Sequence, residues 1–304
     1  MNNRKKETIC TDIRRFAEVV CKAVSEELGG DSQVKLQEVI KNNGVVLQGL
    51  IILNGRSNLS PTIYLNPFLE AYENDIPLAD IVARILDIYN RDLPTESVNM
   101  NFFRDFEKVK DRICYRVISR ERNRSLLERI PHIDFLDLSI CFFYSYEDVT
   151  LGDGSILIYN NHMDIWRCNV EKLLDCAKVN TPRIYVKDII NMGELLEELS
   201  SGMQEAVELP MYVMSNKQRT FGAATILYPD ALGAIGKMFK ENFYILPSSI
   251  HEIILLPEHA ASPVDIMRDM VKDINFTQVA PEEVLSDNVY FYDRLANHVR
   301  ICKF

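Results

Sequence analysis

The chain has 304 residues, of which 47% are hydrophobic and 26% are charged, so it carries enough apolar material for a large globular core. Its formal net charge of −10 disfavours binding to nucleic-acid backbones and to anionic membrane surfaces. Length alone favours two domains or one large one.

The N-terminus and the cysteines predict a cytoplasmic protein. The first residues, MNNRKKETICTDIRRF, are basic but lack the apolar run of a signal peptide. No stretch elsewhere stays apolar over the roughly 18 residues that a membrane span needs. The seven cysteines are scattered and form no C-x-x-C motif. We therefore expect free thiols in a reducing compartment and no zinc site built from cysteines.

The first third of the sequence predicts an α-β-β-β-α subdomain. Apolar residues recur at steps of three and four before Gly29 and after Pro77, which indicates two helices. The sequence Asn42-Asn43-Gly44 predicts a tight hairpin turn. The predicted elements are a helix over 8–28, strands over 33–40, 44–53 and 60–65, and a helix beginning at Pro77 with Leu78, Ile81, Ile85 and Ile88 on its buried side.

The polar stretch NRDLPTESVNMN is the predicted domain boundary. It separates an N-terminal subdomain, 1–95, from a C-terminal α+β domain, 99–304. The two parts are also compatible with one packed unit.

Basic residues are concentrated after this boundary, where a short helix around 101–110 is followed by an ambiguous segment. Arg112, Arg116 and Arg120 are spaced by four, so they would share a helical ridge or one side of a strand. A strand over 112–119 is favoured because the residues between the arginines include aromatic and β-branched types. These three arginines are a candidate site for an anion or an acidic partner.

The rest of the chain alternates strand pairs with helices. Asp153-Gly154 and Pro247 mark turns inside strand pairs, and strands joined so closely are antiparallel. The predicted fold class is therefore α+β, with repeated antiparallel hairpins and intervening helices packed on the sheets. The predicted strands are 134–147, 155–160, 210–216, 222–228, 243–246, 250–256 and 288–293, and the predicted helices are 169–180, 191–206, 229–238 and 263–275.

The segment YILPSSIHEIILLPEH, residues 244–259, contains the residue types of a hydrolase site. As a strand, it would point His251 and Glu252 to opposite faces, so this carboxylate would not orient this imidazole. Ser249 and His251 would share a face about 6.5–7 Å apart, too far for a hydrogen bond between nucleophile and base. No G-x-S-x-G elbow occurs. The pattern therefore does not predict a serine hydrolase.

Metal and nucleotide sites are not predicted either. Position 255 is leucine, so His251 lacks the second histidine of an H-E-x-x-H zinc site. The sequence contains neither G-x-x-x-x-G-K-[ST] nor G-x-G-x-x-G, the common phosphate-binding motifs. We expect no metal and no cofactor.

Two functions follow from these observations. The favoured one is a non-catalytic binding or regulatory protein, because no catalytic spacing satisfies the geometry, and its partner would be an acidic or apolar protein surface. The alternative is a hydrolase-type enzyme whose site is assembled from polar residues at strand ends. Those residues are His132, Asp137, Asn216, Ser249, His251 and Glu252.

Several long phrases of the sequence are distinctive, among them VKLQEVIKNNGVVLQGL, PHIDFLDLSICFFY, LPSSIHEIILLP and NFTQVAPEEVLSDNVYFYDR. They resemble an uncharacterised bacterial family, classed only as a domain of unknown function. The resemblance extends from about residue 10 to residue 294, and the order of elements is similar to that of a second bacterial family of unknown function. It implies a cytoplasmic bacterial protein and implies no activity.

Overall fold

The chain forms two compact units. The first comprises Met1–Lys41, Val45–Met100 and Glu147–Gly152, and the second comprises Asn42–Gly44, Asn101–Tyr146 and Asp153–Phe304. The computed structural model describes residues 12–30, 32–54, 60–92, 100–148, 152–193 and 210–303. The domain boundary expected between 95 and 99 lies outside the described residues and stays a prediction.

The first unit packs helices against a three-stranded antiparallel sheet. Its elements are α1 Ile13–Leu28, β1 Gln33–Ile40, β2 Val46–Leu53, β3 Thr62–Tyr64, α2 Asn66–Glu73 and α3 Leu78–Asp92, and the strand order is β1-β2-β3. The Asp12 side chain caps α1 by accepting a hydrogen bond from the Arg14 N–H at 3.0 Å. Between β1 and β2, Asn43 and Gly44, which are counted with the second unit, have φ of 60° and 70°, the positive angles that the expected turn requires.

The core of the first unit lies between the sheet and two of its helices. α1 buries Phe16, Val20 and Val24, whose spacing of four places them on one side of the helix. α3 contributes Ile81 and Ile85 to the same cluster. The apolar periodicity therefore identifies both helices correctly, whereas α2 is not indicated by any pattern that we recognised.

The second unit contains two antiparallel sheets. The smaller sheet has the order β4-β6-β5, with β7 paired to β6, and the larger has the order β13-β12-β10-β11-β9-β8. The smaller sheet consists of β4 Ile113–Ser119, β5 His132–Phe135, β6 Leu138–Asp148 and β7 Gly152–Leu157. The larger consists of β8 Lys187–Asn191, β9 Tyr212–Asn216, β10 Phe243–Leu246, β11 Ile253–Pro257, β12 Tyr290–Asp293 and β13 His298–Ile301. With its helices, this architecture confirms the α+β class.

Helices cover the sheets of the second unit. The main hydrophobic core joins Tyr115 and Phe142 of the smaller sheet to Phe243 and Tyr290 of the larger one. The helices are α4 Phe106–Val109, α5 Arg124–Leu127, α6 Asn160–Trp166, α7 Val170–Ile184, α8 Ala231–Phe239 and α9 Val264–Thr277. Within the described residues, no helix is long and apolar enough to cross a membrane.

The predicted strand over 222–228 is wrong, because residues Gly222–Leu227 form a 3-10 helix. The preceding residue, Phe221, has φ of 53°, a left-handed angle that an extended strand does not contain. Residues 222–226 are buried, so the segment shows a continuous apolar run. Such a run does not distinguish a strand from a buried helical turn.

Further boundaries differ from the prediction, and Asp153-Gly154, predicted as a turn, lies within β7. The segment 134–147 is not one strand, because Leu136 adopts φ of 55° and separates β5 from β6. Helix α7, predicted to end at residue 180, continues through Pro182 to Ile184. The strand expected over 250–256 begins only at Ile253, since residues 250–252 form a bend and a turn-like connection. Most of the helix expected over 191–206 lies outside the described residues.

Candidate functional site

Three segments meet beside the larger sheet and form what we call the loop junction: residues 216–223 after β9, residues 248–252 before β11, and residues 283–285. Backbone hydrogen bonds tie them together. The Ala223 N–H donates to the Ile250 carbonyl at 3.2 Å, and the Ile250 N–H donates to the Glu283 carbonyl at 2.9 Å. The Leu285 N–H donates to the Ser248 carbonyl at 2.9 Å. The junction therefore gathers residues that are far apart in the sequence.

His251 lies at the centre of the loop junction. Its Nδ1 accepts a hydrogen bond from the Phe221 N–H at 3.3 Å, and its Nε2 lies 3.4 Å from the Glu283 carboxylate. Nδ1 also lies 3.2 Å from the Arg219 carbonyl oxygen, so the ring contacts two backbone groups and one carboxylate. The ring also stacks on Phe221, with centroids 6.0 Å apart and planes 12° apart.

The alternation argument for His251 and Glu252 rested on an extended strand, and that premise is wrong because residues 250–252 lie before β11. The carboxylate that His251 faces is Glu283, which comes from a distant part of the chain. Glu252 is half-exposed. No local pattern links His251 to Glu283, so sequence reasoning missed this pair.

The serines at the junction bond to the backbone of His251. Ser249 Oγ accepts from the His251 N–H at 3.0 Å, and Ser215 Oγ donates to the His251 carbonyl at 2.7 Å. Asn216 closes the following turn, because its amide donates to the Thr220 carbonyl at 2.7 Å and accepts from the Thr220 N–H. These polar side chains fix the path of the loops.

Gly222 is the second junction residue that sequence reasoning missed. A Cβ at this position would lie closer than 3.0 Å to Ser215 Oγ, to the His251 carbonyl oxygen and to the Asn216 backbone nitrogen. Only glycine allows the chain to pass this closely. A glycine at the start of the apolar run GAATIL is the one signal that would have pointed to it.

Asp137 belongs to a different network. Its carboxylate accepts hydrogen bonds from Ser286 Oγ at 2.6 Å, from the Asn288 amide at 2.9 Å, and from the Tyr290 hydroxyl. Burial first, and then the neighbouring Asp137 charge, raise the pKa of Tyr290 well above its usual value. Asp137 therefore holds the segment before β12 against the turn between β5 and β6.

His132 and the three arginines lie along the smaller sheet. His132 is opposite Cys141 on β6, and Arg116 is opposite the same cysteine from the other side. The Arg116 guanidinium lies 4.7 Å from the centre of the Phe221 ring, whereas Arg120 pairs with Asp134 at 3.0 Å. Arg112 ends the turn that precedes β4. The contacts of Arg116 and Arg120 are thus made within the fold.

Four of the six expected site residues lie in the loop junction: Asn216, Ser249, His251 and Glu252. The hydrogen bonds of His132 and Asp137 are made elsewhere. In the part of the chain that the structure describes, no group of three or more His, Cys, Asp or Glu side chains is placed to hold a metal ion. The hydrogen bonds described for the junction residues go mainly to backbone groups, which suits a structural role.

Exposed apolar residues on α9 form a second candidate site, which we call the α9 ridge. Ile266, Met270 and Ile274 follow each other at steps of four and are 49%, 55% and 38% exposed. The buried side of the helix, with Met267 and Val271, packs on the larger sheet. Asp265, Asp269 and Asp273 form an exposed acidic row beside the ridge.

Comparisons with known proteins identify the family of the chain. No curated protein matches the chain, and no solved structure matches it. A family model described as "Family of unknown function (DUF5688)" matches residues 13–294, which is nearly the whole sequence. The chain therefore belongs to the DUF5688 family of unknown function.

Proposed function

We propose that the chain is a non-catalytic cytoplasmic protein that binds a partner protein through the α9 ridge. The observation that carries the proposal is the row of Ile266, Met270 and Ile274, each more than one third exposed. Contiguous large apolar side chains on a surface favour association, because covering them removes apolar area from water. Their spacing of four suits a partner that lies along the helix.

The charges beside the ridge define the partner. An aspartate precedes each ridge residue in the sequence: Asp265, Asp269 and Asp273. These aspartates therefore form a parallel row along one side of the ridge. Arg268, whose Nε is 4.0 Å from Asp269, and Lys272 lie on the far side of this acidic row. A segment on the ridge therefore meets carboxylates first. Of the acidic or apolar partner expected from the sequence, the surface fits the apolar one: an apolar helix flanked by lysine or arginine.

The loop junction supports a non-catalytic role. Ser249, Ser215 and Asn216 hydrogen bond to backbone groups, and His251 accepts from one. A hydrolytic nucleophile would instead bond to the base that activates it. The hydrolase alternative has its own test: hydrolysis of a chromogenic ester by the wild-type protein that is lost in His251→Asn would favour it over a binding protein.

The binding test uses a fluorescein-labelled, helix-forming peptide with a leucine stripe flanked by lysines. Its counterpart carries glutamates in place of the lysines, and fluorescence anisotropy measures both affinities. The double variant Ile266→Ser/Met270→Ser should weaken binding of the basic peptide at least about tenfold. Asp269→Asn should weaken it less and flatten its salt dependence.

Val179→Ser is the matched control. Val179 is 68% exposed on a different helix, α7, outside the ridge and its acidic row, so its loss should leave the affinity unchanged. Equal effects of Val179→Ser and the ridge variant, or equal binding of the basic and acidic peptides, would refute the proposal.

A further inference from the structure

The first unit carries a groove between α1 and α3 that is independent of the α9 ridge. It encloses about 630 Å³. Leu78, Val82 and Leu86 form one row along its floor, at successive steps of four on α3. The row spans roughly 12 Å, or slightly more than two helical turns, at 1.5 Å per residue. The groove is therefore long enough to hold two turns of another helix.

Small side chains form the walls of the groove. Ala23 lines it from α1, and Ala79 and Ala83 line it from α3. Methyl groups at these positions let an incoming backbone approach closely, towards the lower end of the usual 8–10 Å between packed helix axes. Val19, one turn before Ala23, is 44% exposed and continues the apolar wall of α1.

The rim of the groove is acidic. Glu26 and Glu27 of α1 and Asp87 of α3 line it, and the described residues of the lining include no lysine, arginine or histidine. Lys22 stands 3.9 Å from Glu26, but both side chains are largely exposed, and such a pair is too weak to neutralise the rim. The rim therefore favours an occupant with positive charges on both sides of an apolar stripe.

We propose that the α1–α3 groove binds a basic amphipathic helix of another protein. The length of the floor, the alanine walls and the three carboxylates each fit this occupant. A second copy of the chain is a poorer fit, because each copy carries a net charge of −10 and like charges repel. This proposal stands on residues that the α9 ridge does not share.

The experiment uses the full chain carrying Ile266→Ser/Met270→Ser, so that the ridge does not contribute to binding. The labelled basic peptide is titrated against this protein and against the same protein with Ala83→Trp. Ala83 is exposed, so tryptophan fills the groove without disturbing the core. The expected result is a loss of affinity of at least about tenfold.

Two control variants separate the groove from general effects. Arg84→Trp places the same bulk on the neighbouring position of α3, outside the groove lining, and should leave the affinity unchanged. Glu27→Gln should weaken binding and reduce its salt dependence, whereas Glu18→Gln, nine residues earlier on the opposite side of α1, should not. Circular dichroism confirms that each variant remains folded.

Three outcomes would overturn the proposal. One is equal weakening by Ala83→Trp and Arg84→Trp, and another is equal binding of the acidic peptide. The third is a concentration-dependent dimer, seen by analytical ultracentrifugation, that Ala83→Trp dissociates, since the occupant would then be a second copy. The ridge is disabled throughout this experiment, and the ridge variants are compared again with Ala83→Trp present, so that each surface is judged by its own variants.

Discussion

Replacing Gly222 with alanine is the sharpest test of the loop junction. The added Cβ would come closer than 3.0 Å to Ser215 Oγ, to the His251 carbonyl oxygen and to the Asn216 nitrogen. Two of these three atoms belong to the backbone, so a side-chain rotation does not relieve the clash. Overpacking of this kind costs about 1–3 kcal/mol, and displacing the Ser215–His251 hydrogen bond adds about 1 kcal/mol.

The free energy of unfolding should therefore fall by about 2–4 kcal/mol. In a unit of this size, each kcal/mol lowers Tm by roughly 2–4 °C. Urea titration monitored by tryptophan fluorescence measures it. Trp166 is the single tryptophan of the chain, and it is buried in the second unit, so its signal reports on the unit that contains Gly222.

The controls separate the backbone clash from a general effect of alanine. Gly154→Ala places a Cβ where no atom lies within 4 Å, so its stability should stay close to that of the wild type. Adding Ser215→Ala to Gly222→Ala removes the hydroxyl clash but leaves the carbonyl clash, and should not restore stability. Wild-type stability of Gly222→Ala, or full rescue by Ser215→Ala, would refute the close approach of the three segments.

Two further predictions concern buried polar groups. Asp137→Ala should lower the free energy of unfolding by about 3 kcal/mol, because it strands the Tyr290 hydroxyl and two other donors. Asp134→Ala, which removes only an exposed ion pair to Arg120, should cost no more than about 1 kcal/mol in the same urea titration. Burial raises the pKa of the Cys114 thiol to about 12, whereas an unfolded thiol titrates near about 8.5. The unfolded chain then holds fewer protons above that pH, so stability should fall as pH rises, and Cys114 should react with maleimide at pH 8 only after unfolding. A stability that rises between pH 8.5 and 10, or rapid labelling of the folded protein, would contradict this.

Sequence patterns predict helices and strands that face the core on one side only, because their apolar residues then recur at a regular spacing. α1 and α3 belong to this class, and so does the hairpin turn at Asn43 and Gly44, where the residue types themselves favour positive φ. Gly222–Leu227 belongs to the opposite class, because its first five residues are all buried and its pattern carries no period. The α+β class follows from the first kind of element, which is why it could be derived.

The candidate sites divide in the same way. The pairing of His251 with Glu283 depends on how three segments fold together, and no spacing within one segment encodes it. The α9 ridge depends on a single helix, so the repeat of Asp265-Ile266, Asp269-Met270 and Asp273-Ile274 is readable in the sequence. The same helix also carries buried residues, and only burial shows which apolar row faces solvent.

The two proposed surfaces share one chemistry, and the charge of the chain explains why. Each places carboxylates beside an apolar row: Asp265, Asp269 and Asp273 on α9, and Glu26, Glu27 and Asp87 at the groove. With a net charge of −10, such surfaces repel other copies of the chain at long range and attract a basic segment. Apolar contact then supplies affinity once the charges have aligned the partner. We therefore expect salt to slow the association of the basic segment, and we expect variants of the apolar residues to speed its dissociation.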